Sequence, residues 1–125
     1  MKEIGLYVHI PFCKQKCYYC DFLSYAGKEK FIEKYITSLE KEIEIVARNY
    51  LDVRLNTIYI GGGTPSYIDS DYIKRIMKSI KENFIVEKTA EITIEVNPGT
   101  ASKEKIKAYI ESGINRMSIR TSNNK

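Results

Sequence analysis

Residues 4–20 read IGLYVHIPFCKQKCYYC, an apolar run followed by a loop that contains all three cysteines of the chain. In the first seven residues, large apolar side chains alternate with small or polar ones, the period of a strand with one buried face. The stretch therefore predicts a β-strand whose carboxyl end leads into a loop carrying three thiols, those of Cys13, Cys17 and Cys20.

Three thiolates on one short loop can hold a metal centre. The usual zinc patterns have four Cys or His ligands in two separated pairs, so this loop is one ligand short. Iron–sulfur clusters are normally held by four thiolates, and three leave one iron free to bind a small molecule. The neighbouring Lys14 and Lys16 favour thiolate over thiol. Two alternatives remain: three buried structural cysteines, and a zinc-binding module that adds His9 as the fourth ligand.

The composition limits the classes of protein. The cysteine count is odd and the chain opens Met-Lys-Glu without a signal-like apolar region, so we expect free thiols in the reducing cytoplasm. The net charge of +4 comes from lysines interleaved with glutamates, a solvated face rather than a nucleic-acid-binding stripe. No apolar run approaches the roughly 18 residues of a transmembrane segment. One small domain is expected from 125 residues, 43% of them hydrophobic.

Strand-like and helix-like segments alternate along the whole chain, which predicts βα units and a parallel sheet. An apolar stripe from Phe31 to Ala47 marks the first helix, and the pattern recurs from Ile73 to Ile80. Ser70 or Asp69 and Ser102 are plausible N-caps, and Gly113 a plausible C-terminal stop. The predicted strands are 4–10, 57–61, 92–97 and 116–120, and the predicted helices are 28–50, 70–83 and 102–112.

Each predicted strand has one apolar and one polar face. In the third strand, for example, Ile92, Ile94 and Val96 oppose Thr93, Glu95 and Asn97. A doubly wound sheet would be apolar on both faces, whereas a barrel-like sheet with an outer helix layer can line a polar interior. We therefore expect an α/β fold of the partial (β/α) barrel type.

Two polar motifs follow strands, where ligands collect in such folds. Residues 61–65 read GGGTP and residues 95–99 read EVNPG. A glycine run can expose backbone N–H and C=O groups to a ligand, although a tight turn into a helix is an equally good interpretation. Glu95 can likewise be a solvated surface group or an acceptor for ribose hydroxyls or an ammonium.

The spacing Cys-x3-Cys-x2-Cys after GLYVHIPF, together with GGGTP, resembles the radical S-adenosylmethionine (SAM) superfamily, and within it the family of HemW haem chaperones and oxygen-independent coproporphyrinogen III oxidases. The resemblance implies that Cys13, Cys17 and Cys20 bind a 4Fe-4S cluster. In that superfamily SAM chelates the open iron, and one electron from the cluster cleaves it to a radical. The resemblance also implies an electron donor such as flavodoxin or ferredoxin. The implied cofactor-binding residues are Tyr7, Tyr19, Gly62, Gly63, Thr64 and Glu95. Among them Tyr7 is a cluster-side contact and Tyr19 lies beside the adenine, although aromatic packing is an equally good interpretation of both tyrosines.

The resemblance is incomplete towards the end of the chain. Relatives have about six βα units, whereas three units and a fourth strand are predicted here, so we expect residues 1–125 to form the N-terminal half of a radical SAM core domain, an incomplete fragment. Where relatives continue with Gly-x-Gln-Ser, this chain has Arg120 to Lys125. We expect weak SAM binding and negligible turnover from such a fragment.

Phe22 distinguishes the two branches of the family. The oxidases resemble one another in a further cysteine at this position, and the Cys20-Asp21-Phe22 form is similar to HemW. We therefore expect the cluster- and SAM-binding part of a HemW-like haem chaperone, whose partner in the full-length protein is haem or a porphyrin. A fragment of a coproporphyrinogen III oxidase is the alternative, and the zinc-binding module is the second one.

Overall fold

A computed structural model describes residues 1–12 and 25–120, with the side chains of residues 25–27 left out. Three βα units are followed by a fourth strand. The elements are β1 (Lys2–Ile10), α1 (Tyr25–Ala47), β2 (Val53–Gly62), α2 (Ser70–Asn83), β3 (Ile85–Val96), α3 (Lys103–Glu111) and β4 (Arg116–Ile119), with a short 3-10 turn at Pro65–Tyr67.

The four strands form one parallel sheet in the order β1-β2-β3-β4. The register places Ile10 beside Gly62 and Val96 beside Ile119. All four carboxyl ends therefore meet at one edge of the sheet. This arrangement confirms the predicted α/β class with three βα units and a fourth strand.

The core lies between the apolar face of the sheet and the helices. Ile10, Ile60 and Ile94 supply the sheet side and are fully buried. The stripe on α2 is buried as predicted, at Ile73, Ile76, Met77 and Ile80. The opposite face of the sheet carries Tyr7, Tyr59 and Glu95, in agreement with the predicted polar face. Among the described helices, none combines the length and apolar character needed to cross a membrane.

Helix ends follow the predicted signals. Asp69, rather than Ser70, is the N-cap of α2, and its carboxylate accepts a hydrogen bond from the Asp71 backbone N–H. Ser102 caps α3 by accepting from the Lys105 N–H. Gly113 follows α3 with a φ of +104°, a conformation that glycine adopts without steric cost.

Several element boundaries were predicted wrongly. β2 begins at Val53 and β3 at Ile85, because Leu55 pairs with Val86 before a register shift brings Thr57 opposite Glu91. α1 ends at Ala47 instead of residue 50, because residues 48–50 donate to carbonyls three positions back and close a tighter turn.

Two side chains also differ in burial from the sequence prediction. Phe31, placed in the apolar stripe of α1, is 47% exposed, although its ring still meets Phe12 edge-on. Thr93, on the polar face of β3, is buried. The Arg116 guanidinium donates to the Thr93 hydroxyl at 3.4 Å, so the neighbouring strand β4 helps to cover this polar position.

Candidate functional site

The glycine turn after β2 is fastened to the end of β1. The Gly63 N–H donates to the Ile10 carbonyl at 2.8 Å, and the Thr64 N–H donates to the Phe12 carbonyl at 2.6 Å. Phe12 directly precedes Cys13 in the sequence. The turn therefore contacts the backbone from which the cysteine loop starts.

Glycine is required in this turn for two reasons. Gly62 has a φ of +122°, which residues with a side chain rarely adopt, and a Cβ there would lie 2.6 Å from the Ile10 carbonyl oxygen. A Cβ on Gly63 would lie 2.6 Å from the Phe12 oxygen. The two glycines thus allow the backbone of β2 to approach the end of β1 more closely than any other residue type would.

Glu95 lies beside this turn, and three donors hold its carboxylate. The Tyr59 hydroxyl donates to Oε2 at 2.8 Å, and the Gly62 N–H donates to Oε1 at 3.1 Å. Arg120 donates to the same Oε1 at 3.0 Å. The Glu95 side chain is 15% exposed. A partly buried carboxylate with converging donors is a fixed negative group at the carboxyl edge of the sheet.

Tyr7 packs against Tyr59, the residue whose hydroxyl donates to Glu95. The two rings stack with centroids 6.1 Å apart, and the Tyr7 hydroxyl hydrogen-bonds His9 Nδ1 at 3.1 Å. Desolvation raises the pKa of Tyr7, the charges of Glu95 and Tyr59 add to the rise, and Arg120 opposes it. Because 55% of Tyr7 is exposed, its ring is an open aromatic surface next to Glu95.

A group of hydrogen-bonded polar residues holds the segment that follows the glycine turn. The Ser66 hydroxyl is fully buried, accepts from the Asn97 N–H at 2.9 Å and shares a hydrogen bond with Thr100 at 2.6 Å. Lys105 Nζ donates to the Ser66 carbonyl at 2.6 Å, and burial lowers the pKa of this lysine. These contacts tie the segment after the glycines to the end of β3 and to α3.

The structure thus brings most of the predicted cofactor-binding residues to one edge. Gly62 and Glu95 are hydrogen-bonded, Gly63 and Thr64 continue the same turn, and Tyr7 is one aromatic ring away. Tyr19 and the three cysteines lie outside the described residues. Within residues 1–12 and 25–120, no group of three or more His, Cys, Asp or Glu side chains could hold a metal ion.

Two residues of the site were missed from the sequence. Tyr59 lies between the buried Ile58 and Ile60 in the sequence, so its side chain points to the opposite, polar face of the sheet. The strand period alone could therefore have placed Tyr59 on the same face as Glu95. Arg120 has no local sequence signal, because its partners Glu95 and Gly62 lie far from it along the chain.

The described residues fit a ligand with an ammonium group and hydroxyl groups. A carboxylate and backbone carbonyl groups are acceptors for both, and the glycine turn leaves open the space that a Cβ would fill. For the cluster, the donor set is that of the cysteine loop, since thiolates are the ligands that iron–sulfur clusters take.

This site lies at the carboxyl edge of a four-stranded parallel sheet in an α/β protein. A family model described as the radical SAM superfamily matches residues 7–120, and the chain belongs to this superfamily. The chain is 44% identical over 124 residues to the haem chaperone HemW of Buchnera aphidicola subsp. Schizaphis graminum, a match that covers 95% of this chain and 32% of that protein. The HemW of Haemophilus influenzae is 41% identical, with the same two coverages.

The oxidase branch is also similar. The oxygen-independent coproporphyrinogen III oxidase of Salmonella typhimurium is 34% identical over 119 residues, covering 94% of this chain and 26% of that protein. In a solved structure, Escherichia coli coproporphyrinogen III oxidase (HemN), described as a radical SAM enzyme, superposes with a TM-score of 0.80 at 35% identity. That match covers 94% of this chain and 27% of HemN. The chain spans about a third of the length of its HemW relatives.

Proposed function

We propose that this chain is the cluster- and SAM-binding part of a HemW-like haem chaperone, with residues 1–125 forming the N-terminal half of a radical SAM core domain. The observation that carries the proposal is the contact between the glycine turn, Glu95 and the backbone of Phe12. It puts a fixed carboxylate and an open backbone turn beside the residue from which the cysteine loop departs.

Each part of the site has a distinct role in this proposal. Cys13, Cys17 and Cys20 bind a 4Fe-4S cluster, which supplies the electron for reductive cleavage of SAM. The backbone of Gly62, Gly63 and Thr64 and the Glu95 carboxylate bind polar groups of SAM. Tyr59 holds that carboxylate in place, while Tyr7 and Tyr19 provide aromatic surface on the cluster side and beside the adenine.

The proposal also concerns the surroundings of the site. A cluster held by thiolates needs reduced cysteines, which suits the cytoplasm. The cluster needs an electron donor, for which a flavodoxin or ferredoxin is proposed. Haem or a porphyrin is the proposed partner of the full-length protein, by analogy with the names of the relatives.

The first experiment is anaerobic reconstitution with iron and sulfide. We expect about four iron and four sulfide per chain, a brown colour and its loss in air. Replacing Cys13, Cys17 or Cys20 by Ala should abolish uptake, and Gln15→Ala in the same loop is the matched control, because Gln15 is uncharged. Zinc without sulfide in the purified chain would instead support the zinc-binding module.

The second candidate function is part of a coproporphyrinogen III oxidase, which the similarity to HemN favours. Phe22 argues against the oxidase assignment, because phenylalanine has no thiol at the position where the oxidases carry a cysteine. A full-length protein containing this chain should bind haem saturably and leave coproporphyrinogen III unchanged in the presence of SAM and a reductant. Formation of protoporphyrinogen IX would move the assignment to the oxidase.

A further inference from the structure

We propose that Arg120 occupies the position that the ammonium group of SAM takes at this site, so that SAM must displace the Arg120 side chain in order to bind. The inference deepens the proposed function and rests on SAM binding at the edge formed by Gly62 and Glu95. It makes Arg120 a residue that sets the affinity of the site.

The geometry of Arg120 is that of a bound cationic ligand. Its Nη1 donates to Glu95 Oε1 at 3.0 Å and to the Gly62 carbonyl oxygen at 3.1 Å. The two acceptors belong to the ends of different strands, β3 and β2. One guanidinium nitrogen therefore bridges a carboxylate and a backbone carbonyl, and both groups can also accept hydrogen bonds from an ammonium group.

The backbone of Arg120 is fixed, whereas its side chain is accessible. The Arg120 N–H donates to the Val96 carbonyl at 2.9 Å, which continues the pairing of β4 with β3. The Arg120 side chain is 55% exposed, while that of Glu95 is 15% exposed. The guanidinium can therefore swing into water without disturbing the sheet, and Glu95 stays behind as a partly buried carboxylate.

Losing Arg120 leaves Glu95 with an incomplete set of donors. The Gly62 N–H and the Tyr59 hydroxyl remain on the carboxylate, but both are neutral. A partly buried carboxylate without a cation attracts one. An ammonium group bound there restores the charge pair, so the same acceptors serve Arg120 and the ligand in turn. The binding of the two is mutually exclusive.

The experiment compares SAM binding by calorimetry in the wild-type chain and in the variants Arg120→Ala and Arg120→Met, all reconstituted anaerobically. Both variants should bind SAM about tenfold more tightly, because no charge-assisted hydrogen bonds have to be broken first. The methionine variant retains the aliphatic part of the side chain, so a gain shared by both variants reports on the guanidinium. Arg116→Ala is the matched control, since Arg116 lies on β4, four residues before Arg120, and pairs with Glu91 instead of Glu95.

A second ligand identifies the group that displaces Arg120. 5′-Methylthioadenosine retains the adenosine of SAM and lacks both the amino acid and the sulfonium charge, so its affinity should not change in the two variants. S-adenosylhomocysteine keeps the ammonium group without the sulfonium charge and should show the same gain as SAM. An equal gain for this ligand would overturn the assignment to the ammonium group.

The remaining outcomes separate the two proposals. If the wild-type chain and the Arg120 variants bind SAM with equal affinity, or the variants bind more weakly, the inference about Arg120 is overturned and SAM binding stands. If neither the wild-type chain nor any variant binds SAM saturably, both the inference and the proposed function are contradicted.

Discussion

Tyr109 on α3 is a fully buried residue with a polar end. Its side chain has no measurable exposure, and within the described part of the chain its hydroxyl has no hydrogen-bond partner. Burial raises the pKa of Tyr109 to about 12. The neutral phenol is tolerated in the core, whereas the phenolate is not.

We predict an alkaline loss of stability that depends on Tyr109. Above pH 10 the phenol ionises in the unfolded chain first, so the folded state binds the extra proton and the free energy of unfolding falls with rising pH. Between pH 10 and 12 the loss due to Tyr109 should reach about 2 to 3 kcal/mol. Urea unfolding of Tyr109→Phe should show a flatter profile over this range.

The same substitution has a consequence at neutral pH. Removing a buried hydroxyl without a partner should stabilise the fold by about 1 kcal/mol. Tyr50→Phe is the control, because Tyr50 is 45% exposed. Equal alkaline profiles for wild type and Tyr109→Phe would contradict the prediction.

At the scale of single residues, the sequence predicted site residues that stand in a motif at the end of a strand. Glu95 and Gly62 were predicted at the carboxyl edge, and the structure brings them into contact. Arg120 could not be predicted, because its partners lie 25 and 58 positions away and nothing local indicates that pairing. Long-range ion pairs of flexible side chains leave no periodic pattern in a sequence.

At the scale of elements, helices were predicted better than strands. The span 70–83 of α2 is the predicted one, because apolar period and capping residues agree there. The first residues of β2 and β3, at 53–56 and 85–91, were missed. Residues 85–91 read IVEKTAE and lack regular alternation, and residues 53–56 alternate over only four positions. Pairing between these distant segments makes them strands, and local patterns do not record it.

Arg75 joins the first two helices. Its guanidinium donates to both carboxylate oxygens of Glu40, at 2.8 and 3.1 Å, and to Glu33 at 2.9 Å. Hydrogen bonds to these two carboxylates raise the pKa of Arg75, and the one to Glu33 lowers the pKa of that carboxyl group. A bidentate pair with about a third of each side chain exposed is stronger than an ordinary surface pair.

We predict a measurable coupling between Arg75 and Glu40. A double-mutant cycle with Arg75→Ala and Glu40→Ala, measured by urea unfolding, should give about 1 kcal/mol at low salt and less at high salt. The control cycle uses Lys78 and Glu82, which are 4.0 Å apart and largely exposed, and should give close to zero. Similar coupling in both cycles would show that the bidentate geometry has no special effect.

At the scale of the whole molecule, the order of segments was sufficient to predict the fold class. Strand and helix alternate three times, and a parallel sheet follows from that order because each helix crosses over to the next strand. The cysteine loop was the most informative stretch of the sequence, yet it lies outside the described residues. The ligands of the cluster therefore stay predictions that rest on family membership and on the neighbouring glycine turn.

The described sheet has two edges, and they predict self-association of this chain. Within residues 1–12 and 25–120, β1 pairs with β2 alone and β4 with β3 alone. On β4, Ile119 is 67% exposed. An edge strand with free N–H and C=O groups and an exposed apolar side chain is a template for pairing with a second chain. We expect the apparent mass in light scattering to rise with concentration.

Charge on the edge should suppress this association, because a lysine must give up its hydration when two edges pair. Ile119→Lys is therefore expected to shift the chain towards the monomer. Leu51→Lys is the matched control: Leu51 is 76% exposed but lies in the loop between α1 and β2, outside both edge strands. If the wild-type chain stays monomeric at all concentrations, or if both variants reduce association equally, pairing through β4 is wrong.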